Sequence, residues 1–202
     1  NFRTLNYLGS KLRLLDFIEE QVESVTPKEA AICDLFAGSG CVSYRLSQNH
    51  IVYTCDIQHY SKVICNAMLQ RQTVTPSIVL DLIDNIEHSA FARLKEAFAP
   101  LIQLEEKAIE GKQLEILTQI IENGSVEIFR IENTQSLLSS TQLRVIKKLT
   151  SNGLMGKESV ISRYYGGVYF SYKQAVQVDI ILSSIRRISD TANKNLFLAA
   201  LL

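Results

Sequence analysis

A glycine-rich turn separates two apolar segments near the start of the chain. The turn covers residues 34–40 and reads DLFAGSG. Its first two residues are the last two of the apolar segment 30–35. Glycines at such a turn let the chain bend sharply and let a ligand approach backbone N–H groups. Asp56 ends the next apolar segment, sixteen residues past Gly40. This spacing is near the roughly 20 residues that separate a glycine turn from the carboxylate that binds the ribose hydroxyls of an adenosine ligand. The glycine turn and Asp56 together therefore predict an adenosine-binding site.

The turn lacks the usual signatures of phosphate-binding loops. The fingerprint G-x-G-x-x-G needs a third small residue for close helix packing, whereas Gly40 is followed by Cys41, Val42 and Ser43. No Gly-Lys-Ser/Thr follows the turn either, which excludes a Walker A loop. An adenosine ligand without a phosphate fits better, and S-adenosylmethionine is the common one. An NAD-dependent oxidoreductase stays a distant alternative.

The pattern around the turn predicts a helix followed by a β-α-β-α unit. Apolar residues at helical spacing predict a helix over 11–25, which Pro27 closes. Two strands and two helices follow in alternation: 30–35, a helical stretch to Asn49, 51–56 and 60–71. Strands that alternate with helices are typical of a parallel sheet with helices on its faces.

The middle of the chain has a different character and predicts an inserted helical subdomain. Amphipathic helices are predicted over Phe91–Phe98 and Leu101–Glu122, a strand over Val126–Ile131, and a helix around Gln142–Leu149. The predicted division is a cofactor-binding half at 1–76, the helical insertion at 77–163, and a return segment at 164–202.

The return segment carries a helix-start signal. Ser171 is followed three residues later by Gln174, which predicts a capping box at the start of a helix. A second helix is predicted over Asn193–Leu202.

Composition limits the class of protein further. The 202 residues carry 21 basic and 21 acidic side chains, so any DNA contact must come from local patches. The apolar runs are too short for a membrane-spanning helix, and no signal peptide opens the chain, which predicts a cytoplasmic protein. The 4 cysteines show no C-x-x-C pairing and are predicted to be small buried thiols. The 3 histidines lack metal-ligand spacing, so no metal site is predicted.

Three motifs, in this order, resemble those of the Dam-like class of adenine-N6 DNA methyltransferases of restriction-modification systems. The run at 6–11, NYLGSK, is similar to the family's N-terminal motif. The turn at 34–40 is similar to its cofactor loop, and Asp56 falls where its ribose-binding acid stands. The run YGGVYFS at 165–171, with the residues that follow to Asp179, is similar to a segment of some restriction-associated members. The resemblance covers about 1–70 and 164–202.

The resemblance implies a fold, a cofactor and a set of contact residues. The fold is α/β, the Rossmann-like class I S-adenosylmethionine-dependent methyltransferase fold with a mainly helical insertion, incomplete at its C-terminus. The implied cofactor residues are Tyr7, Lys11, Asp34, Phe36, Ala37, Gly38, Ser39, Gly40, Asp56 and Ile57. Weaker DNA-binding candidates are Arg163, Tyr165 and Lys173. The implied partner is double-stranded DNA, in the bacterial cytoplasm, with no membrane. A cognate restriction endonuclease of the same system is implied as well, without need of contact with this chain.

One departure from the family concerns the chemical step. The family transfers its methyl group at an Asp/Asn-Pro-Pro-Tyr/Phe motif, where oxygens accept from the adenine amino group and the ring stacks on the flipped base. The prolines here are Pro27, Pro76 and Pro100, and none is adjacent to another. No catalytic residue is therefore assigned, and in family order the motif would follow Leu202. The expectation is a fragment of an enzyme, with a non-catalytic cofactor- or DNA-binding subunit that needs a partner chain as the alternative.

Overall fold

The chain folds into two compact units. The computed structural model describes residues 11–70, 75–87, 92–128 and 136–202. Unit 1 holds the described residues up to Thr75 together with Ile188–Leu202, and unit 2 holds those of Pro76–Arg187. This differs from the sequence-based division, because residues 164–187 lie with the helical middle instead of forming a return segment.

Unit 1 alternates helices with two short strands. A 3-10 turn at Leu12–Leu14 leads into its elements, which are α1 (Leu15–Val25), β1 (Ala31–Asp34), α2 (Cys41–Leu46), β2 (Ile51–Thr54), α3 (His59–Leu69) and α10 (Thr191–Leu201). The predicted order of helices and strands is confirmed here, although each strand is two residues shorter than its apolar segment.

The two strands form a parallel sheet with one uncovered face. Ala31 pairs with Ile51 and Asp34 with Thr54, as expected for strands joined through a helix. Side chains alternate along both strands between half-buried and exposed positions. The exposed positions are Ala31, Cys33, Ile51 and Tyr53. Parallel sheets are normally covered on both faces, so this apolar face lacks its usual cover within the described part of the chain.

The cysteine prediction is wrong for two of the four residues. Cys65 is buried in α3, and Cys41 is partly exposed. Cys33 and Cys55, in contrast, are exposed. Cys33 lies on the uncovered face of the sheet, so an apolar strand pattern that predicts burial on both faces fails there.

The last helix returns the chain to unit 1. The Asp190 carboxylate accepts from the backbone N–H groups of Ala192 and Asn193, which caps the start of α10. The helix packs against α3, whose Ile64 and Cys65 are buried. Unit 1 therefore combines segments from both ends of the described chain.

The described elements of unit 2 are all helices, apart from an isolated bridge between Gly166 and Phe170. After α4 (Pro76–Glu87) its elements are α5 (Ala92–Glu110), α6 (Leu114–Asn123), α7 (Leu137–Ser151), α8 (Val160–Tyr164) and α9 (Tyr172–Arg186), with a 3-10 turn at Lys157–Ser159 before α8. The core side chains come mainly from α5, α7 and α9, and include Phe98, Leu101, Val145, Leu149, Tyr172 and Val176. No helix within the described ranges has the length and apolar character needed to cross a membrane.

The helix boundaries in unit 2 differ from those predicted. Helix α5 continues through Pro100, where a break was expected, and ends near Gly111. Proline has no N–H and leaves the Glu96 carbonyl without its helical donor. The Lys148 ammonium of α7 donates to that carbonyl at 3.3 Å. A contact from a neighbouring helix therefore satisfies the group that the proline leaves unpaired.

The strand predicted over Val126–Ile131 does not form in its described part. Residues 126–128 adopt a bend, and residues 129–131 lie outside the described ranges. The N–H groups of Val126 and Glu127 both donate to the Arg163 carbonyl, at 2.9 and 3.1 Å. This segment is held by the end of α8 instead of by a sheet.

The start of α9 organises the polar interior of unit 2. The capping box at Ser171 and Gln174 is confirmed, with both of its hydrogen bonds present. Tyr172, the residue after Ser171, is fully buried, and its hydroxyl donates to the Gly124 carbonyl at 2.7 Å. Its backbone N–H donates to the Glu105 carboxylate at 2.9 Å. One residue of α9 thus holds both α5 and the end of α6.

Glu105 should make unit 2 less stable as the pH rises. Burial raises the pKa of this carboxyl above its ordinary 4.5, against the opposing effect of the Tyr172 amide. Below pH 4.5 the group is neutral in the folded and the unfolded chain, and stability is lost as the pH rises through the folded-state pKa. We expect Glu105→Gln, which stays neutral, to gain stability relative to wild type as the pH rises from 4 to 7, measured by urea unfolding.

Glu110→Gln, on the same helix α5, serves as the matched control for that experiment. Glu110 is exposed and lies at the end of α5. Its substitution should leave the pH dependence close to that of wild type. Parallel pH profiles for Glu105→Gln and wild type would contradict the effect assigned to the buried carboxyl.

Candidate functional site

The carboxyl ends of β1 and β2 are joined by backbone hydrogen bonds. The Cys55 N–H donates to the Asp34 carbonyl at 2.8 Å, and the Ala37 N–H donates to the Cys55 carbonyl at 3.2 Å. These bonds fix residues 35–40, which we term the glycine loop, beside the end of β2. Ligands of open α/β sheets bind at this edge, outside the carboxyl ends of the strands.

Asp56 holds the glycine loop through its side chain. Its Oδ1 accepts from the Gln58 N–H and its Oδ2 from the Gly38 N–H, both at 2.8 Å. These two bonds, the Gln58 amide contributing most, lower the pKa of Asp56 below its ordinary 3.8. The group is therefore a carboxylate at neutral pH. A carboxylate has about four lone-pair sites, and these two backbone bonds use two of them.

Two glycines of the loop adopt a left-handed conformation. Gly38 has φ +52° and Gly40 has φ +71°, a region that side-chain-bearing residues rarely adopt. The Gly40 N–H donates back to the Ala37 carbonyl at 2.8 Å and closes the turn. A Cβ atom at Gly40 would lie 3.0 Å from the Cys65 sulfur of α3. The second glycine is therefore required both by its backbone angle and by close packing.

Asp34 is held by a serine that sequence reasoning missed. The Ser43 hydroxyl donates to Asp34 Oδ2 at 2.6 Å, and Ser43 is fully buried in α2. The sequence offers one signal for this contact, a small hydroxyl residue within the first turn of the helix that follows the glycine loop. The bond turns the carboxylate at the end of β1 toward the start of α2.

Large apolar side chains stand exposed at the same edge of the sheet. Phe36 in the glycine loop is 84% exposed, and Ile57 directly after Asp56 is 97% exposed. Such side chains are normally covered, and exposed apolar groups beside polar ones often mark binding sites. Ser39 and Ala37, by comparison, are buried within the loop.

The N-terminal motif is only partly within the described chain. Tyr7 lies outside the described residues. Lys11 is exposed, and its carbonyl accepts from the Leu14 N–H at 2.8 Å as the 3-10 turn begins. This bond involves the Lys11 backbone and not its ammonium group. The role of Lys11 in holding a cofactor therefore stays a prediction.

An ion-pair cluster connects the helix after Lys11 to the helix after the glycine loop. Arg45 of α2 donates to Glu19 at 2.7 Å and to Asp16 at 2.9 Å, both on α1. Sequence reasoning missed this contact because it joins charges far apart in the chain. It fixes α1 against α2 and so positions the segment that follows Lys11.

Arg163, one of the predicted DNA-binding residues, is buried and paired, and its contact with DNA stays a prediction. Arg163 is only 6% exposed, and its guanidinium donates to Glu127, to the Ser159 hydroxyl and to the Gly156 carbonyl. Its charge is paired inside unit 2. The reason is the bend at 126–128, which sequence reasoning took for a strand and which brings Glu127 to α8.

The other DNA-binding candidates are exposed. Tyr165 is 44% exposed, and Lys173 is exposed while pairing with Glu106. Asp179, part of the same motif, is instead buried and accepts from the Ile161 and Ser162 N–H groups. Across the described ranges, no group of three or more histidine, cysteine or acidic side chains is arranged to hold a metal ion.

Comparisons with known proteins give one family and two relatives. Residues 7–158 match the family of D12 class N6 adenine-specific DNA methyltransferases. The modification methylase LlaI of Lactococcus lactis subsp. lactis is 35% identical over 65 residues, which cover 32% of this chain and 10% of that protein. The type II methyltransferase M.NlaIII of Neisseria lactamica is 36% identical over 64 residues, which cover 30% of this chain and 19% of that protein. No solved structure matches.

Substitution of the two glycines should separate backbone strain from packing. Gly38→Ala should cost about 1–2 kcal/mol for the left-handed angle alone, since the nearest atom to its Cβ is 3.9 Å away. Gly40→Ala should cost more, because its Cβ also meets the Cys65 sulfur. Urea unfolding measures both free energies.

A double-mutant cycle tests the packing part of that prediction. Cys65→Ala removes the contacting sulfur, so Gly40→Ala should cost less in the Cys65→Ala background than in wild type. Gly153→Ala in unit 2 is the control, because Gly153 has φ +65° with nothing within 4 Å of its Cβ. An additive cycle would show that the sulfur does not require a glycine at position 40.

Proposed function

The chain belongs to the D12 class of N6 adenine-specific DNA methyltransferases, and on that premise we propose that it supplies the S-adenosylmethionine-binding part of a DNA adenine-N6 methyltransferase. The resemblance drawn from the sequence motifs is confirmed at the level of the family. The proposed substrate is double-stranded DNA. The proposed setting is a restriction-modification system of the bacterial cytoplasm, with a cognate restriction endonuclease in the same system.

One observation carries this proposal, the hydrogen bond from the Gly38 amide to the Asp56 carboxylate. It joins a loop with left-handed glycines to an acidic residue just beyond the next parallel strand. The loop is therefore held in place without a ligand. The glycine loop and the Asp56 carboxylate together suit an adenosine ligand. Its ribose hydroxyls donate to a carboxylate, while its base lies against apolar groups at the strand ends.

The residues of the site fit S-adenosylmethionine by their chemistry. The Asp56 carboxylate would accept from the ribose hydroxyls, and the exposed Phe36 and Ile57 offer apolar surface for the adenine. Asp34, held by Ser43, would accept from the ammonium of the methionine end, and Lys11, with Tyr7 as implied by the family, would hold its carboxylate.

The cofactor, when bound, supplies a methyl group on a reactive sulfonium, so the chain's contribution is binding and orientation. The glycine loop would contribute by holding the side chains around it, such as Asp56, at a fixed edge of the sheet. The exposed apolar side chains would exclude water from one side of the ligand once it covers them.

For the fold we propose a Rossmann-like sheet with a helical insertion. The parallel pairing of β1 and β2 across α2 is the basic unit of such a sheet. Unit 2 is inserted between α3 and α10, two helices that pack together in unit 1. The insertion therefore runs over residues 76–187, a longer segment than the 77–163 expected from the sequence.

The chemical step needs acceptor groups that these residues lack in the family's arrangement. Pro27 precedes β1, Pro76 begins α4 and Pro100 lies inside α5, so none forms an Asp/Asn-Pro-Pro-Tyr/Phe turn. A methyltransferase must orient the adenine amino group with preorganised acceptors close to its nitrogen. We therefore assign to this chain the binding of the cofactor and not the orientation of the adenine amino group.

A second candidate function is a non-catalytic subunit that works with a partner chain. The sheet face that the described residues leave uncovered favours it, because Ile51 and Tyr53 are both more than half exposed on a parallel sheet. A partner polypeptide would pack against this face. In that arrangement the partner would carry the catalytic motif.

Cofactor binding should depend on Asp56. Calorimetry on the whole chain should detect binding of S-adenosylmethionine or of its demethylated product, and Asp56→Asn should weaken it about 10- to 100-fold, the usual loss for hydrogen bonds to a charged acceptor. Glu20→Gln, an exposed acidic residue on α1 outside the site, is the control and should bind as wild type. Binding of NAD without binding of either ligand would refute the assignment.

Methyl transfer should be absent from the chain by itself. Because the Pro-Pro acceptor turn is missing, incorporation of labelled methyl groups into mixed-sequence duplex DNA should stay at background. Adding a polypeptide that carries the Asp/Asn-Pro-Pro-Tyr/Phe segment of a D12 methyltransferase should give activity if the partner-chain candidate is right. Turnover by the 202-residue chain alone would show that its catalytic groups are residues assigned here to structure.

A further inference from the structure

Unit 2 displays a group of exposed aromatic rings at the turn between α8 and α9. The group consists of Tyr164, Tyr165, Tyr169 and Phe170, and we term it the aromatic platform. Tyr169 is 81% exposed, although large aromatic side chains are usually well covered in folded proteins. The exposure of these rings favours a binding surface over a packed core.

The backbone of this turn is tightly constrained. The Tyr165 carbonyl accepts from three N–H groups, those of Val168, Tyr169 and Phe170. Gly167 has φ +80°, and a Cβ there would lie 2.8 Å from the Tyr172 ring. The turn thus closes on a buried tyrosine while it directs the platform rings outward.

The rings are arranged as neighbours. The Tyr165 and Tyr169 rings meet edge to face with centroids 6.0 Å apart, and the Tyr164 and Tyr165 centroids are 6.4 Å apart. The buried Arg163 guanidinium lies 5.6 Å from the centroid of the Tyr164 ring. These contacts reduce the rotamer freedom that the rings would lose on binding a ligand.

An open cavity of about 480 Å³ lies beside the platform. Its lining includes Tyr164, Tyr165 and Lys157. Arg163 also lines the cavity, but its guanidinium is paired with Glu127. Glu158, bonded to the Gly156 N–H, places a carboxylate next to Lys157. The charge around the cavity is therefore close to balanced, and the aromatic rings are its main feature.

We infer that the aromatic platform binds DNA by stacking on an unstacked nucleobase. Aromatic rings with a few neighbouring cations are the usual means of binding single-stranded nucleic acid, since every base offers a π face. A base within a duplex already stacks on its neighbours, so the platform favours a base that is unpaired or turned out of the helix. This inference extends the proposed function to unit 2 and rests on it only for the choice of DNA as the partner.

Fluorescence anisotropy of a labelled single strand of about 16 nucleotides, and of the same sequence as a duplex, tests this inference. The whole chain should bind the single strand more tightly than the duplex. Tyr169→Ala and Tyr165→Ala should each weaken single-strand binding about 5- to 100-fold, the range for losing one base-ring stack, whereas Tyr165→Phe should keep it.

Tyr44→Ala provides the matched control, because Tyr44 is 43% exposed, close to the 44% of Tyr165, and lies in unit 1. It should bind DNA as wild type does. The slope of log affinity against log salt concentration reports the number of ions released on binding. Lys157→Ala should make this slope smaller by less than one, since a single strand releases about 0.7 ion per phosphate contact. Circular dichroism verifies that each variant is folded.

The outcomes separate this inference from the proposed function. The inference is overturned by equal single-strand affinity of wild type, Tyr165→Ala and Tyr169→Ala, by an equal loss in Tyr44→Ala, or by no DNA binding at all. Each platform variant is also titrated with S-adenosylmethionine. Retained cofactor binding with no DNA binding defeats the inference alone, and DNA binding without cofactor binding defeats the proposed function alone.

Discussion

The hydrogen bond between the Gly38 amide and the Asp56 carboxylate is the contact on which the candidate site depends. It holds the glycine loop, and the left-handed angles of the loop persist only because surrounding contacts enforce them. The Cys65 sulfur packs where Gly40 has no side chain, so α3 closes the loop from the other side. The groups at the strand ends are therefore positioned by contacts on two sides of the loop.

The sequence predicted the elements of unit 1 well, because each carries its own local signal. A strand of apolar residues and a glycine turn are decided by neighbours in the chain, as is the capping box at Ser171 in unit 2. Contacts between distant residues were not predictable in this way. The Ser43 hydroxyl on Asp34 and the Arg45 ion pairs with α1 depend on how the helices pack. The site's residue types were therefore visible from the sequence, whereas the groups that orient them were not.

In unit 2 the local signals were overridden by tertiary contacts. Pro100 predicts a helix end, but the Lys148 ammonium satisfies the carbonyl that the proline leaves unpaired, and the helix continues. Arg163 beside exposed tyrosines predicts a surface cation, but Glu127 pairs with it from a segment whose path no periodicity revealed. A charged residue next to a functional motif is thus a poor guide to a binding surface until its partner is known.

The proposed cofactor site and the proposed DNA-binding surface fall on different units and would use different physical forces. The cofactor site would rely on directed hydrogen bonds, which need a fixed geometry but little area. The aromatic platform would rely on ring area, which tolerates any base but discriminates poorly between sequences. Because the chain carries no net charge, contacts with phosphates would come from local basic patches, and stacking would add to the DNA affinity. Sequence specificity would then require side chains that read base edges, a role that exposed rings do not perform.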